Sequence, residues 1–191
     1  MKKVAVFASG TGSNAKNIIE HFNGRNSSIA KVELVVCNKE NAGVLQHAAN
    51  AGVESVVITK QQLNDELFML ELMQKHQIDF IVLAGFLLLI PKFLAEKYHR
   101  SIINIHPALL PKYGGKGMYG SFVHQAVWEN REKETGITIH FVNEKYDEGD
   151  IIFQAKAAIE NNDTPTIIAK KVQQLEHQYF VSEIEKLLIK K

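Results

Sequence analysis

Short apolar runs alternate with amphipathic segments through the first half of the chain, which is the pattern of strands separated by helices. Runs at residues 4–8, 32–37, 55–58 and 80–84 predict strands that are covered on both faces. Between these runs apolar positions recur at helical spacing, first at Ala15, Ile18, Ile19 and Phe22. This β-α-β-α-β-α-β order predicts a parallel sheet with helices on both faces, the third helix covering residues 63–76.

The second half of the chain changes character, because alternating strands and polar turns replace the continuous apolar runs. Three further strands are predicted, at residues 102–106, 135–142 and 151–159. The last two are expected to pair antiparallel through the short polar linker 143–150. Pro165 suits the first position of a long C-terminal helix. We therefore predict one Rossmann-like α/β domain over residues 1–191, with antiparallel strands added to a parallel sheet.

Composition and charge exclude some classes of protein. The chain has 191 residues, 46% of them hydrophobic and 23% charged, which is typical of a globular enzyme rather than a disordered chain. The net charge of +1, with basic clustering only at Lys186, Lys190 and Lys191, argues against a nucleic-acid partner. The lone cysteine, Cys37, cannot form an internal disulfide. We expect a soluble cytoplasmic protein with no signal peptide or membrane span, and both a monomer and a homodimer stay open.

A glycine-containing turn, Ser9-Gly10-Thr11-Gly12-Ser13-Asn14, joins the first predicted strand to the first helix. Free N–H groups at a helix start favour an anion, and glycines let the backbone approach it. The turn lacks the Walker lysine and the third glycine of the dinucleotide fingerprint. It therefore favours a single phosphate, although an ordinary strand-to-helix turn is the alternative. Ser13 or Asn14 is expected to cap the helix. The phosphate-binding residues would be Gly10, Thr11, Gly12, Ser13 and Asn14.

Two polar residues end the fifth predicted strand. Asn104 and His106 point to the same side of that strand, at the carboxyl end where open α/β sheets bind ligands. An asparagine amide can donate to a developing oxyanion, and a histidine can move a proton near neutral pH. Taken alone, such a pair is more often structural than catalytic.

Asp147 lies in the acidic turn Tyr146-Asp147-Glu148-Gly149-Asp150. A carboxylate near His106 would fix the tautomer of the imidazole or take a proton through water. The alternatives are a solvated acidic turn or a divalent metal site built from Asp147, Glu148 and Asp150. The spacing of these three carboxylates matches no calcium loop.

Several segments in this order resemble the phosphoribosylglycinamide formyltransferases, a folate-dependent family of de novo purine synthesis. The resemblance covers nearly the whole chain. It is carried by the glycine turn at 9–14 and by four further segments: Leu83-Ala84-Gly85-Phe86, Asn104-Ile105-His106-Pro107-Ala108-Leu109-Leu110-Pro111-Lys112-Tyr113, residues 138–149, and Val172-Gln173-Gln174-Leu175-Glu176-His177. The Asn-x-His-Pro-x-Leu-Leu-Pro-x-Tyr pattern marks folate-dependent formyltransferases and their hydrolase relatives.

The resemblance implies transfer of a formyl group from 10-formyltetrahydrofolate to the amine of phosphoribosylglycinamide, without a metal. It implies a catalytic trio of Asn104, His106 and Asp147, with Gln173 and Glu176 holding the glycinamide and ribose. The implied folate-binding residues are Leu87, Leu88, Leu89, Ile90, Asn104, Asn143 and Asp147. On this basis residues 1–100 form the phosphate-binding half, and residues 101–191 the catalytic and folate-binding half.

The chain also departs from the family pattern. Leu88 stands where many relatives carry an arginine against the folate, so a basic contact is missing or is supplied elsewhere. The loop 112–120 is longer and richer in glycine than usual, which makes it a candidate lid. It lacks a histidine that often follows the proline, and His124 is a candidate replacement.

Four rival functions are compatible with parts of the pattern. A formyl hydrolase would use the same trio on water, but the glycine turn and the missing extra N-terminal domain argue against it. A tRNA formyltransferase would need a C-terminal RNA-binding domain and a basic face. A sugar-nucleotide formyltransferase would need a different binding loop. A non-catalytic phosphate-binding module is the alternative outside enzymes.

Overall fold

The computed structural model describes residues 1–24 and 27–189, so Lys190 and Lys191 of the basic C-terminal cluster lie outside the described residues. The strands are β1 Lys2–Ala8, β2 Ala30–Cys37, β3 Glu54–Val57, β4 Phe80–Leu83, β5 Ile102–His106, β6 Glu134–Phe141 and β7 Ile151–Ala158. The helices are α1 Ser13–Phe22, α2 Gly43–Asn50, α3 Lys60–Leu63, α4 Glu66–Lys75, α5 Lys92–Lys97, α6 Ser121–Glu129 and α7 Pro165–Ile189.

Within the described residues the strands form one seven-stranded sheet in the order β3-β2-β1-β4-β5-β6-β7. Strands β1 to β5 pair in parallel, and β6 and β7 are added antiparallel. This arrangement confirms the predicted mixed α/β sheet. The strand order reverses direction between β1 and β4, and open sheets of this type bind ligands at such a switch point, beyond the carboxyl ends of the strands.

Alternation along the strands divides the core into two layers. Val4 and Val6 of β1 face the layer formed with α1, α2 and α7, whereas Ala5 and Phe7 face the layer packed with α4 and α5. All four side chains are fully buried, as expected for a central parallel strand. Packing in these two layers holds the sheet on both faces, and so positions the carboxyl ends of the strands, where the polar residues lie.

Two local predictions were wrong. The expected helix 63–76 begins later, as α4, because Asp65 caps it by accepting a hydrogen bond from the Phe68 backbone, and Leu63 instead ends the separate short helix α3. Neither Ser13 nor Asn14 caps α1; Gly12 occupies the N-cap, and no side chain caps the helix.

The long last helix runs across one face of the sheet and reaches the glycine turn. Pro165 is its first residue, as predicted, and Ile168 and Val172 are buried beneath it. Across residues 1–24 and 27–189, no helix has both the length and the apolar character needed to cross a bilayer.

Candidate active site

Strand β5 supplies two of the expected catalytic side chains. Asn104 and His106 lie on one face of the strand, while Ile103 and Ile105 point into the core on the other face. Antiparallel pairing with β6 places His140 directly opposite Asn104. The imidazoles of His106 and His140 are 3% and 2% exposed, so both are held in a nearly dry environment.

Asp147 reaches these side chains from the loop between β6 and β7. Its Oδ1 lies 3.4 Å from Asn104 Nδ2 and 3.5 Å from His140 Nε2. Its Oδ2 lies 3.5 Å from His106 Nδ1 and accepts a 2.9 Å hydrogen bond from the backbone of Gly115. The structure therefore brings Asn104, His106 and Asp147 together, and adds His140 to them.

The carbonyl groups around the two histidines fix where their hydrogens are. His106 Nε2 lies 2.7 Å from the carbonyl oxygen of Tyr113, and His140 Nδ1 lies 2.8 Å from that of Phe141. A carbonyl oxygen can only accept, so each of these ring nitrogens carries a hydrogen. His106 Nδ1 is therefore left facing Asp147, and His140 Nε2 faces the amide of Asn104 at 3.1 Å.

Burial and charge compete in setting the protonation of this cluster. Burial lowers the pKa of His106, and although Asp147 and the Tyr113 carbonyl raise it, the net pKa lies below the ordinary 6.5. Asp147 thus acts in the direction expected from its charge, but desolvation is the larger effect. Burial would raise the pKa of Asp147, yet the neighbouring His140 and His106 and the Gly115 N–H together lower it. The resting site favours a carboxylate beside an imidazole that is ready to accept a proton.

His124 on α6 is a site residue whose role the sequence left open. It is 8% exposed and lines the same cavity as His106. Its Nδ1 is buried without a hydrogen-bond partner among the described residues. Burial lowers the pKa of His124, and His106 lowers it further.

The glycine turn lies at the other end of this cavity, at the start of α1. Gly12 adopts a φ of 80°, and a Cβ there would lie 2.7 Å from the Cα of Val44, so only glycine fits. No acidic residue occupies the first turn of α1, and no side chain caps it. The first N–H groups of the helix are therefore available to an anion.

Helix α7 supplies the residues expected to hold the ribose and glycinamide. Asn14 Nδ2 donates a 2.9 Å hydrogen bond to Glu176 Oε2, which links the glycine turn to α7. Burial raises the pKa of Glu176, and the bond from Asn14 opposes this shift. Gln173 also lines the cavity, as does Lys170, which the sequence analysis missed. Lys170, Gln173 and Glu176 follow one another at intervals of three residues, a helical spacing that could have revealed the lysine.

The expected folate wall follows β4 directly. The Leu87 backbone donates to Ser9 Oγ at 3.0 Å, which ties this segment to the glycine turn. Leu87, Leu88, Leu89 and Ile90 line the main cavity. Asn143 instead lines a second, smaller cavity beside Lys92 and His99.

One cavity of about 770 Å³ connects these features. Its lining residues include all the expected phosphate, glycinamide and catalytic residues, namely Gly10, Thr11, Gly12, Ser13, Asn14, Asn104, His106, Asp147, Gln173 and Glu176. The loop after Tyr113 closes one side through Gly115, Lys116, Gly117, Met118, Tyr119 and Gly120.

The carboxylates of the acidic turn have separate partners. Glu148 pairs with Lys145 at 3.1 Å, and Asp150 pairs with Arg100 at 2.9 Å, while Asp147 faces the two histidines. Among the described residues, no group of three or more histidine, cysteine or acidic side chains is placed to hold a metal ion.

An Asn, a His and an Asp converge beyond a parallel strand, and they share one cavity with the uncapped start of α1. The chain belongs to the formyl transferase family, whose model matches residues 2–184. It is similar to the phosphoribosylglycinamide formyltransferase of Bacillus subtilis, with 36% identity over 192 residues, covering 98% of this chain and 95% of that protein. The structure of the same-named protein from Bacillus halodurans superposes with a TM-score of 0.88 at 32% identity, covering 98% and 95% of the two chains.

A plant relative is longer. The chloroplastic phosphoribosylglycinamide formyltransferase of Arabidopsis thaliana is 42% identical over 188 residues, which is 96% of this chain. The chain spans 64% of that protein's own length.

Proposed function

We propose that this protein transfers the formyl group of 10-formyltetrahydrofolate to the amine of phosphoribosylglycinamide in de novo purine synthesis. The observation that supports this most strongly is the single cavity that runs from His106 and Asp147 to the glycine turn. A site for phosphate alone would not need the buried polar cluster, and a site that activates only water would not need the anion-binding end.

The acceptor would lie along the glycine turn and α7. Its phosphate would accept hydrogen bonds from the uncapped start of α1 and from residues Gly10 to Asn14, with Lys170 as a nearby positive charge. Glu176 and Gln173 would hold the ribose hydroxyls and the glycinamide. In this arrangement the acceptor amine would lie toward Asn104 and His106.

The donor would enter from the opposite side. Leu87 to Ile90 would contact the flat faces of the pterin, and the loop from Asn143 to Asp147 would form the other edge. In this chain Lys116 and Lys145 both line the main cavity, and one of them could supply the basic contact that Leu88 lacks. On this arrangement residues 1–100 would bind mainly phosphate, and residues 101–191 would carry the catalytic and folate groups.

The chemistry follows from the hydrogen positions. The acceptor nitrogen forms a bond to the formyl carbon, and the carbonyl electron pair moves to oxygen. Asn104 donates to this oxyanion with the amide hydrogen that now makes only the long 3.4 Å contact with Asp147. The proton lost by the nitrogen passes through the Asp147 carboxylate to His106 Nδ1, 3.5 Å away.

Collapse of the intermediate completes the transfer. The oxyanion reforms the carbonyl group, the bond from carbon to N10 of the folate breaks, and N10 takes the proton from His106 Nδ1. The products are formylated phosphoribosylglycinamide and tetrahydrofolate, and both side chains return to their starting protonation. The lowered pKa of His106 suits this cycle, because the neutral imidazole can accept the proton and the imidazolium releases it readily.

We further propose that the protein acts on these small molecules in the cytoplasm, as a monomer or homodimer. The buried, unpaired Cys37 is consistent with a reducing compartment.

Mixing the protein with 10-formyltetrahydrofolate and following folate absorbance tests the proposal. Tetrahydrofolate should form only when phosphoribosylglycinamide is added, in step with formylated product. Release of formate at the same rate without the acceptor would instead identify a hydrolase. No change under either condition would refute both activities.

A further inference from the structure

One short segment, residues 112–115, contacts both His106 and Asp147, the two groups proposed to carry the proton, through its backbone. The carbonyl of Tyr113 accepts from His106 Nε2 at 2.7 Å, and the N–H of Gly115 donates to Asp147 Oδ2 at 2.9 Å. Between them, a Cβ on Gly114 would lie 2.5 Å from a methyl group of Leu110 and 3.2 Å from the Cβ of Asp147. The segment therefore lies directly against the site, with no room for a side chain.

The same segment is anchored on its far side by Glu132, just after α6. The phenol of Tyr113 donates to Glu132 Oε1 at 2.9 Å, and Lys112 Nζ lies 2.8 Å from the same oxygen. The backbone of Glu132 is itself fixed by a 3.2 Å hydrogen bond to the carbonyl of Val127. Burial together with Glu132 raises the pKa of Tyr113 to about 12, so the phenol keeps its hydrogen for this bond.

Tyr113 is also held in an uncommon conformation. Its φ is 57°, in the left-handed region that costs a non-glycine residue roughly 1 kcal/mol or more. Such a conformation persists when side-chain contacts support it. The phenol of Tyr113 makes its side-chain hydrogen bond to Glu132, and this bond supports the left-handed conformation. In that conformation the Tyr113 carbonyl points at His106 Nε2.

We propose that Tyr113 is a positioning residue: its carbonyl holds the hydrogen of His106 at Nε2, and its phenol, anchored on Glu132, keeps that carbonyl in place. His106 Nδ1 is then the only ring nitrogen that exchanges a proton with Asp147 and the reactants. This role deepens the proposed formyl transfer and rests on it for its catalytic meaning. The tautomer itself is a property of the protein alone.

Titratable and polar groups face the His106 ring from each element packed against it. Asp147 approaches from the loop after β6, His140 from β6, His124 from α6 and the Tyr113 carbonyl from its own following loop. Of these, the Tyr113 carbonyl and Asp147 favour the protonated ring. Displacing the carbonyl removes one of the two, so the titration of His106 should move to lower pH.

Four variants separate positioning from simple stability. Tyr113→Phe and Glu132→Ala each break the anchor, whereas Glu132→Gln keeps an oxygen that can accept from the phenol. Lys112→Met is the matched control, because it removes the other partner of the same Glu132 oxygen and leaves Tyr113 untouched. Thermal unfolding first establishes that each variant is folded.

Nitrogen-15 NMR of the histidine rings across a pH series, without any substrate, reports the tautomer directly. We expect wild type, Lys112→Met and Glu132→Gln to hold His106 as the Nε2–H form. Tyr113→Phe and Glu132→Ala should mix the tautomers, move the midpoint to lower pH and lower kcat about fivefold with little change in KM. The double variant should be no worse than either single one.

An unchanged tautomer and midpoint in Tyr113→Phe would overturn the proposal, even if kcat fell, because the residue would then act only through stability. An equal effect from Lys112→Met would also overturn it. If the wild type transfers no formyl group while the NMR differences appear as expected, the proposed function fails and the positioning role stands.

Discussion

Asn104 and Asp147 are 43 residues apart in the chain, yet the amide nitrogen of one lies 3.4 Å from a carboxylate oxygen of the other. Asn104 is fixed by the sheet, whereas Asp147 arrives from a loop in which its own φ is 55°. Their contact joins the candidate oxyanion donor to the candidate proton carrier.

Replacing Asn104 by alanine should lower kcat by about a hundredfold or more, because one oxyanion donor is lost. KM should change much less, since the amide acts mainly in the transition state. Steady-state kinetics with both substrates measures this. A rise in KM at constant kcat would show that Asn104 binds the ground state instead.

Replacing Asp147 by asparagine removes the charge but keeps an oxygen for the Gly115 N–H. Since Asp147 raises the pKa of His106, the variant should titrate His106 at lower pH than wild type. We also expect kcat to fall about a hundredfold or more, because the proton path to Nδ1 is interrupted. NMR titration and initial rates check the two effects separately, and a midpoint moved upward would contradict the assigned electrostatics.

The glycine turn offers a matched pair of substitutions. Gly12→Ala combines an unfavourable positive φ with a 2.7 Å clash against Val44, so it should lower the unfolding free energy by roughly 1–3 kcal/mol. A Cβ on Gly10 meets nothing within 4 Å, so Gly10→Ala should fold normally. Because Gly10 lines the cavity, its methyl group should crowd the phosphate and raise KM for the acceptor about tenfold with kcat unchanged.

Denaturant titrations of both variants give stability, and acceptor-dependent rates give KM. A Gly10→Ala protein with wild-type KM for the acceptor would argue against the turn as the phosphate site.

Two buried histidines should make the protein sensitive to mild acid. Burial lowers the pKa of both His106 and His124, so the unfolded chain binds their protons first. Their full contribution to the free energy of unfolding is therefore present above the unfolded-state pKa of about 6.5. It is lost as the pH falls toward the lower pKa values of the folded state. Each such group contributes up to about 1.4 kcal/mol of unfolding free energy per pH unit in that window.

Removing one of the two should reduce this slope. His124→Phe should flatten the dependence of unfolding free energy on pH between about pH 6.5 and pH 5 relative to wild type. Urea unfolding at several pH values measures the slope. An unaltered slope would mean that His124 is not held neutral in the folded protein.

Much of the fold could be predicted from local pattern, because burial imposes periodicity wherever a strand or helix packs. The continuous apolar run that became β1 and the alternation that became β6 both identified their strands to within a few residues. The wrong predictions concerned helix caps, which depend on single side-chain or backbone interactions that hydrophobic periodicity does not reveal. The Asp65 side chain caps α4 and so sets its start later than the apolar pattern predicted, and Gly12 rather than a polar neighbour is the N-cap of α1.

The sequence by itself determined the order of the elements, the two residues that end β5 and the glycine turn, since each depends on neighbours along the chain. It also carried the resemblance that named Asp147, Gln173 and Glu176. Only the tertiary structure decided that His140 and His124 join the cluster, that Lys170 reaches the cavity, and that Tyr113 determines which nitrogen of His106 carries the hydrogen. These facts depend on distances between segments far apart in the chain. Strand register and helix packing set those distances, and they do not appear as a periodic pattern in the sequence.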